Sequence, residues 1–206
     1  MTPARPAPGL RERKKLKTRS AIRRATYELI ARQGYEATTV EQIAAAAEVS
    51  PSTVIRYFPA KEDIVLTDDQ AEHTEAALLA RPADEPVLTS LRHVVKDQLR
   101  AADPAEVALR ARLLRDVPAV RSRMLDSLAS CGRSLATTVA TRTGHPETDL
   151  SSRVLATAVV GSLIETTLYW AERDCRDDLL GLVDEAFGAF GAFGDGLGTA
   201  GLTRRA

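Results

Sequence analysis

Residues 39–61, TVEQIAAAAEVSPSTVIRYFPAK, decide the fold. Thr39 with Gln42 three positions later is the signature of a capping box at a helix start. Val40, Ile43, Ala44 and Ala47 then recur at i, i+3, i+4 and i+7, which makes one apolar helical face. Glu48 and Val49 form a turn, and Ser50-Pro51 opens a second helix as N-cap and first-turn proline. Val54 and Phe58, four apart, face inward with Val49. That leaves Pro51, Ser52, Ile55, Arg56 and Tyr57 pointing outward or sideways. A short, capped, polar-faced helix held by another that crosses it has the form of a helix-turn-helix recognition helix.

Working upstream, a helix runs from Leu10 or Arg13 to Gln33, with Ile22, Ala25 and Leu29 on its inner face. Gly34 ends it as a residue able to adopt left-handed geometry, and Tyr35 packs back. The three helices 13–33, 40–47 and 51–58 share a small core of Ile22, Ala25, Leu29, Tyr35, Val40, Ile43, Val49, Val54 and Phe58. So small a module gains little stability alone and needs the rest of the chain.

The run T-V-x-x-I-A-x-x-A-x-V-S-x-x-T-x-x-x-Y-F-x-x-K-E-D-I resembles the DNA-binding domain of the TetR family of transcriptional regulators. With the Gly34-Tyr35 step it covers residues 16–66, about a third of the chain. Three positions depart from the commonest pattern: Glu48 where glycine is usual, Ile55 where an aromatic is usual, and Ala60 where a serine cap is usual. The resemblance implies that Thr39, Thr53, Tyr57 and Lys61 hold the DNA backbone. It also implies that Pro51, Ser52, Ile55 and Arg56 reach bases, with Ser50 beside them as the cap. Ile55 can touch a thymine methyl, and Arg56 can read a guanine.

At 206 residues the chain is long enough for this module and a larger body, and its net charge is zero. The charge is unevenly spread. Residues 1–24 hold nine basic side chains against Glu12 alone, so the remainder is acidic by about eight charges. A basic segment ahead of a helix-turn-helix is an electrostatic footprint for phosphates. Prolines 3, 6 and 8 and Gly9 make residues 1–12 a disordered basic arm in the absence of DNA. The domains expected are 13–60 for DNA binding, 61–190 for a helical body, and 191–206 as a flexible glycine-rich tail.

The body reads as all-α: helices 61–80, 87–101, 105–115, 119–143, 150–173 and 176–190. Val120, Met124, Leu128, Cys131, Leu135 and Val139 form a regular stripe on the fourth. The stretch RVLATAVVGSLIETTLYW, 153–170, is apolar on more than one side and so is expected to be buried on several faces. Its Ala156, Ala158, Gly161 and Ser162 permit close helix approach. This helix and the phenylalanine-bearing stripe of 176–190 are the expected four-helix interface of a two-fold homodimer. One recognition helix alone buries too little surface to find a site in a genome. Dimers of this kind favour pseudo-palindromic operators.

By the same resemblance, the helices between 61 and 143 enclose a pocket for a small, largely apolar effector. Its candidate lining is Leu91, Val94, Gln98, Leu114, Met124, Leu128 and Cys131, with Glu165, Thr166, Tyr169 and Trp170 from the apolar helix. Glu165 either meets ligand or bridges to an arginine, since a carboxylate inside apolar surroundings is costly unless paired. The body resembles the mycofactocin-associated and fatty-acyl-binding branch of the family. The implied mechanism is repression relieved by ligand, with helix 61–80 carrying the shift to the recognition helices.

An enzyme is disfavoured. His73, His93 and His145 lie far apart without metal-ligand spacing, and there is no GxSxG, Walker A or GxGxxG after a strand. No cofactor or metal is expected. Cys131 and Cys175 form no CxxC and read as reduced, packed thiols of a cytoplasmic protein. No apolar run of 18 residues lacks charge or strong polarity, so no membrane partner is expected. A DNA-binding or architectural protein without an effector is the alternative.

Overall fold

The computed structural model describes residues 10–67, 71–146 and 148–196, so residues 1–9 of the expected arm and 197–206 of the expected tail lie outside the described residues, while residues 10–12, expected in the disordered arm, are helical. Ten helices and no strand occur among the described residues. The chain divides into two compact units, residues 1–69 and 70–206.

The first unit holds α1 (Leu10–Gln33), α2 (Val40–Ala46), α3 (Pro51–Tyr57) and α4 (Lys61–Leu66). Ile22, Leu29, Ile43, Ala44, Val54, Phe58 and Ile64 form its core, with Val40, Ala47, Val49 and Tyr57 packed against it. α1 stops because Gly34 turns left-handed (φ 83°), while its N–H still donates to the Ile30 carbonyl at 2.9 Å. The buried Thr26 hydroxyl is satisfied within the helix by the Ile22 carbonyl, 2.8 Å away.

Glu48 does what glycine usually does. It sits in the α2–α3 turn at φ 55°, the left-handed region that costs a side-chain-bearing residue about 1–2 kcal/mol. The start of α4 keeps half a capping box: Ala60 offers no side-chain cap, but Asp63 accepts from the Ala60 N–H at 3.1 Å.

The helix expected over 61–80 is two helices. α4 ends at Leu66 because Thr67, a β-branched residue of low helix propensity, takes extended geometry (φ −67°, ψ 119°). The second unit then contains α5 (Ala71–Leu79), α6 (Val87–Ala101), α7 (Pro104–Asp116), α8 (Pro118–Thr143), α9 (Leu150–Glu172) and α10 (Leu179–Gly196). α10 begins later than the periodicity indicates, because Asp178 accepts from the Leu180 N–H and caps it there. It also runs on to Gly196, so the tail expected from 191 is helical in its first part.

Leu78, Leu91, Val94, Val139, Val159, Val183 and Phe187 form the main core of this unit. A smaller cluster, Ala111, Trp170 and Ala171, joins α7 to the end of α9. α8 and α9 approach closely at Gly132, where an added Cβ would stand 2.8 Å from the Thr157 hydroxyl. Gly161, expected to serve close approach, has open space around it instead.

One arginine ties three elements together. Arg142 near the end of α8 donates to the carbonyls of Leu78, Arg81, Pro82 and Glu85 and to the Ser90 hydroxyl. Glu85 is held in turn by Arg81 and by Ser90, so the α5–α6 connection is clasped from both sides.

α9 is the one helix among the described residues long and apolar enough to cross a membrane by length and composition alone. It packs against α7, α8 and α10 and buries Ser152, Ala156, Val159, Thr166, Trp170 and Ala171, as a core helix does. It is nonetheless not covered on all sides. Leu150, Val154, Ala158, Glu165 and Tyr169 are exposed, and with Gly161 they follow one another at helical spacing along a single stripe. The helix is thus buried against three neighbours, as expected, while within one chain one face of α9 stays open.

Candidate nucleic-acid interface

The geometry of α3 begins with its cap. Ser50 accepts from the Thr53 N–H at 3.2 Å, and its hydroxyl lies 2.9 Å from those of both Ser52 and Thr53. Pro51 follows at N1, where a missing N–H costs nothing. Thr39 caps α2 the same way, accepting from Gln42 N–H at 3.3 Å while Gln42 accepts from the Thr39 N–H at 3.0 Å. The box is reinforced by Gln33, whose amide donates to both Gln42 Oε1 and the Ala37 carbonyl.

These caps fix which way α3 faces. Val54 is 0% exposed and Phe58 2%, both in the core, whereas Ile55, one residue from Val54, is 54% exposed. Pro51, Ser52 and Arg56 are also exposed, and Thr53 and Tyr57 are half-buried. The outer face thus carries hydroxyls, a guanidinium and one aliphatic side chain, the mixture that addresses phosphate oxygens and base edges. The Arg56 guanidinium rests over the Tyr57 ring (5.4 Å to its centroid), which restrains a long side chain at the surface. Arg19 of α1 lies over Phe58 at 4.8 Å, bringing the end of the basic segment beside α3.

Lys61 is placed differently from the other sequence candidates. Its ammonium donates to the carbonyls of Tyr35 (2.8 Å) and Thr38 (3.0 Å) and sits 3.9 Å from the centre of the Tyr35 ring. The tyrosine hydroxyl donates to Glu62 at 2.5 Å. Burial, with the Glu62 carboxylate beside it, raises the Tyr35 hydroxyl above the ordinary tyrosine range, so it stays protonated.

The effector candidates differ in exposure. Leu91, Val94 and Leu114 are core residues with 2–3% exposure, and Gln98 donates to the Thr74 hydroxyl at 2.5 Å. Met124 and Leu128 are half-buried on α8, whereas Cys131 is exposed. Thr166 is buried with its hydroxyl on the Ser162 carbonyl. Glu165 was expected inside and is exposed, because it falls on the open stripe of α9. Tyr169 shares that stripe, with Arg173 over its ring at 4.3 Å. Trp170 alone of these lines the cleft of about 260 Å³ found among Leu99, Val107, Trp170, Cys175 and Leu179. Its indole N–H donates to the Asp177 carbonyl at 2.8 Å. Periodicity missed this cleft because it lies where α6 and α9 end and α7 and α10 begin.

Residues 22–67 match the family described as "Bacterial regulatory proteins, tetR family", and residues 85–193, more than half the chain, match "MftR C-terminal domain". The chain belongs to the TetR family. Its α2–α3 pair is therefore the family's helix-turn-helix, and it is a regulator and not an enzyme. The chain is 39% identical over 147 residues to the HTH-type transcriptional regulator TcmR of Streptomyces glaucescens. That alignment covers 66% of this chain and 65% of TcmR. In fold it is similar to the fatty acid degradation regulator FadR of Bacillus halodurans (TM-score 0.56, 23% identity, 97% of this chain and 100% of that one). It is similar too to Thermus thermophilus FadR, a TetR-family transcriptional repressor solved with lauroyl-CoA (TM-score 0.53, 24% identity, 91% and 97% covered).

Proposed function

We propose that this TetR-family regulator is a cytoplasmic homodimeric repressor that reads a pseudo-palindromic operator with α3 of each protomer and lets go when a small, largely apolar effector binds its body. The observation that carries the DNA half is the two-sided character of α3: Val54 and Phe58 are buried to 2% or less, while Pro51, Ser52, Ile55 and Arg56 stand in solvent. Thr39, Thr53 and Tyr57 flank them as backbone contacts, and Ser50 acts as the cap that orients them. Arg56, bidentate on a guanine, contributes about 1–3 kcal/mol of discrimination. The test is operator affinity: Arg56→Ala with Tyr57→Ala weakens binding to a selected duplex, and unchanged affinity in the folded double variant defeats the assignment.

Two further features support the rest. The open stripe of α9 has Leu150 70% and Val154 59% exposed with Gly161 at its centre, a face suited to a second copy of the same helix beside α10. A monomeric mass in light scattering at micromolar concentration contradicts this. For the effector, the cleft beside Trp170 and Leu179 has an apolar lining, and a protein of this fold was solved with an acyl-CoA. Acyl-CoA thioesters of graded chain length are therefore the first probes. A stabilised melt together with operator release is expected, with coupling on the order of 1–3 kcal/mol. No shift across the panel removes the acyl-effector part while leaving DNA binding standing.

A further inference from the structure

Lys61 and Glu62 open α4 side by side and grip one residue, Tyr35, at three places. Lys61 donates to its carbonyl, Lys61 lies against its ring face, and Glu62 accepts from its hydroxyl. Lys61 also holds the Thr38 carbonyl, immediately before the Thr39 cap of α2. An ammonium has three N–H donors and no acceptor. Two carbonyls and a ring face already engage this one, so a phosphate competes with a site already made.

The clasp closes a short loop. Thr38 donates its N–H to the Tyr35 carbonyl at 3.2 Å and its hydroxyl to the Gly34 carbonyl at 2.8 Å. The α1–α2 turn is thus locked internally and then pinned to α4. At the other end of α4, the Tyr27 hydroxyl of α1 donates to the Val65 carbonyl at 2.9 Å. α2 leaves this turn directly, and α3 packs on α2. Where α3 stands relative to α1 therefore depends on the turn.

We propose that Lys61 is a positioning residue for DNA binding, fixing the Tyr35–Thr38 turn so that α2 holds α3 in its reading stance, and that it does not neutralise a phosphate. This rests on the reading of α3 given above. The two roles separate on charge and salt. A phosphate contact is a charge effect that arginine retains, and its loss lowers the slope of log affinity against log salt by about 0.9 per contact, near 1.8 for a dimer. A positioning role needs three donors converging from one nitrogen, which a longer planar guanidinium does not supply.

The experiment measures anisotropy of a selected operator duplex from 50 to 300 mM KCl. It uses the full-length protein, Lys61→Arg, Lys61→Met and, in parallel, Arg56→Ala, each checked for folding by circular dichroism. Lys61→Arg is expected to bind at least fivefold more weakly although its charge is kept. Lys61→Met is expected to be at least tenfold weaker at an unchanged salt slope. Wild-type affinity in Lys61→Arg, or a slope reduced by about 1.8 in Lys61→Met, overturns the inference and makes Lys61 a phosphate contact. If neither Lys61 variant folds, the clasp is a folding element only and the inference is likewise overturned. If Arg56→Ala binds as the wild type does, the reading of α3 falls and this inference with it. Weakening by Arg56→Ala alone refutes only the role of Lys61.

Discussion

Val54 and Ile55 are adjacent aliphatic residues on a seven-residue helix, yet shortening them to alanine should have opposite effects. Val54 is completely buried among Ile22, Ile43, Phe58 and Ile64. Removing two carbons there loses about 1.6 kcal/mol of transfer energy at roughly 0.8 per buried methylene. The cavity left behind brings the total to about 2–3 kcal/mol. Ile55 is 54% exposed, so Ile55→Ala should change stability by no more than about 0.5 kcal/mol. On the operator the order reverses. Ile55→Ala gives up an apolar contact on the order of 1 kcal/mol per protomer, while Val54→Ala, measured where it is still folded, keeps the outer face intact. Native-state amide exchange at the most protected α1–α3 amides reads the stability of this unit directly. Loss of 2 kcal/mol or more on Ile55→Ala would mean that α3 turns its outer face to the protein. The two-sided description would then be wrong.

Other consequences are as specific. Glu48→Gly should stabilise the first unit by up to about 1 kcal/mol, because relief of left-handed strain slightly exceeds the entropy of an added glycine; a destabilised variant in chemical denaturation contradicts this. Arg142→Met should cost about 3 kcal/mol in the same assay, since it leaves the carbonyls of the α5–α6 connection and the Ser90 hydroxyl without their shared donor. Arg81 and Ser90 hold the Glu85 carboxyl at about 2, below its ordinary 4.5. A carboxylate depressed on folding stabilises above its unfolded value and loses that contribution as pH falls toward the folded one. Stability should therefore decline from pH 4.5 downward, and urea midpoints for Glu85→Gln should decline less steeply over that range.

The DNA-binding half was legible because its determinants are local. Thr39 with Gln42, Ser50 with Pro51, and apolar spacing at i, i+3, i+4 and i+7 act within one or two turns of chain, and they reappear as caps and core. The Glu48 departure was legible as well, and it marks the one non-glycine left-handed residue described in that unit. What escaped was set by distant partners. The break at Thr67 interrupts a periodicity that continues on both sides of it. The close contact of Gly132 with Thr157 joins positions 25 apart. The inward turn of Lys61 depends on carbonyls of Tyr35 and Thr38, which no side-chain pattern registers. Helical stripes identify what is apolar and do not separate pocket lining from core, so they leave Leu91, Val94 and Leu114, all buried, open to either role.

The central claim is that the outer face of α3 enters the groove of DNA. A photo-cross-linking side chain installed at position 55, with a second protein carrying it at position 165 on the exposed stripe of α9, tests that claim on a duplex selected from a random pool. The account predicts cross-links to bases from position 55 and none from position 165. Absence of base cross-links at 55 in a protein that still binds its duplex would contradict it.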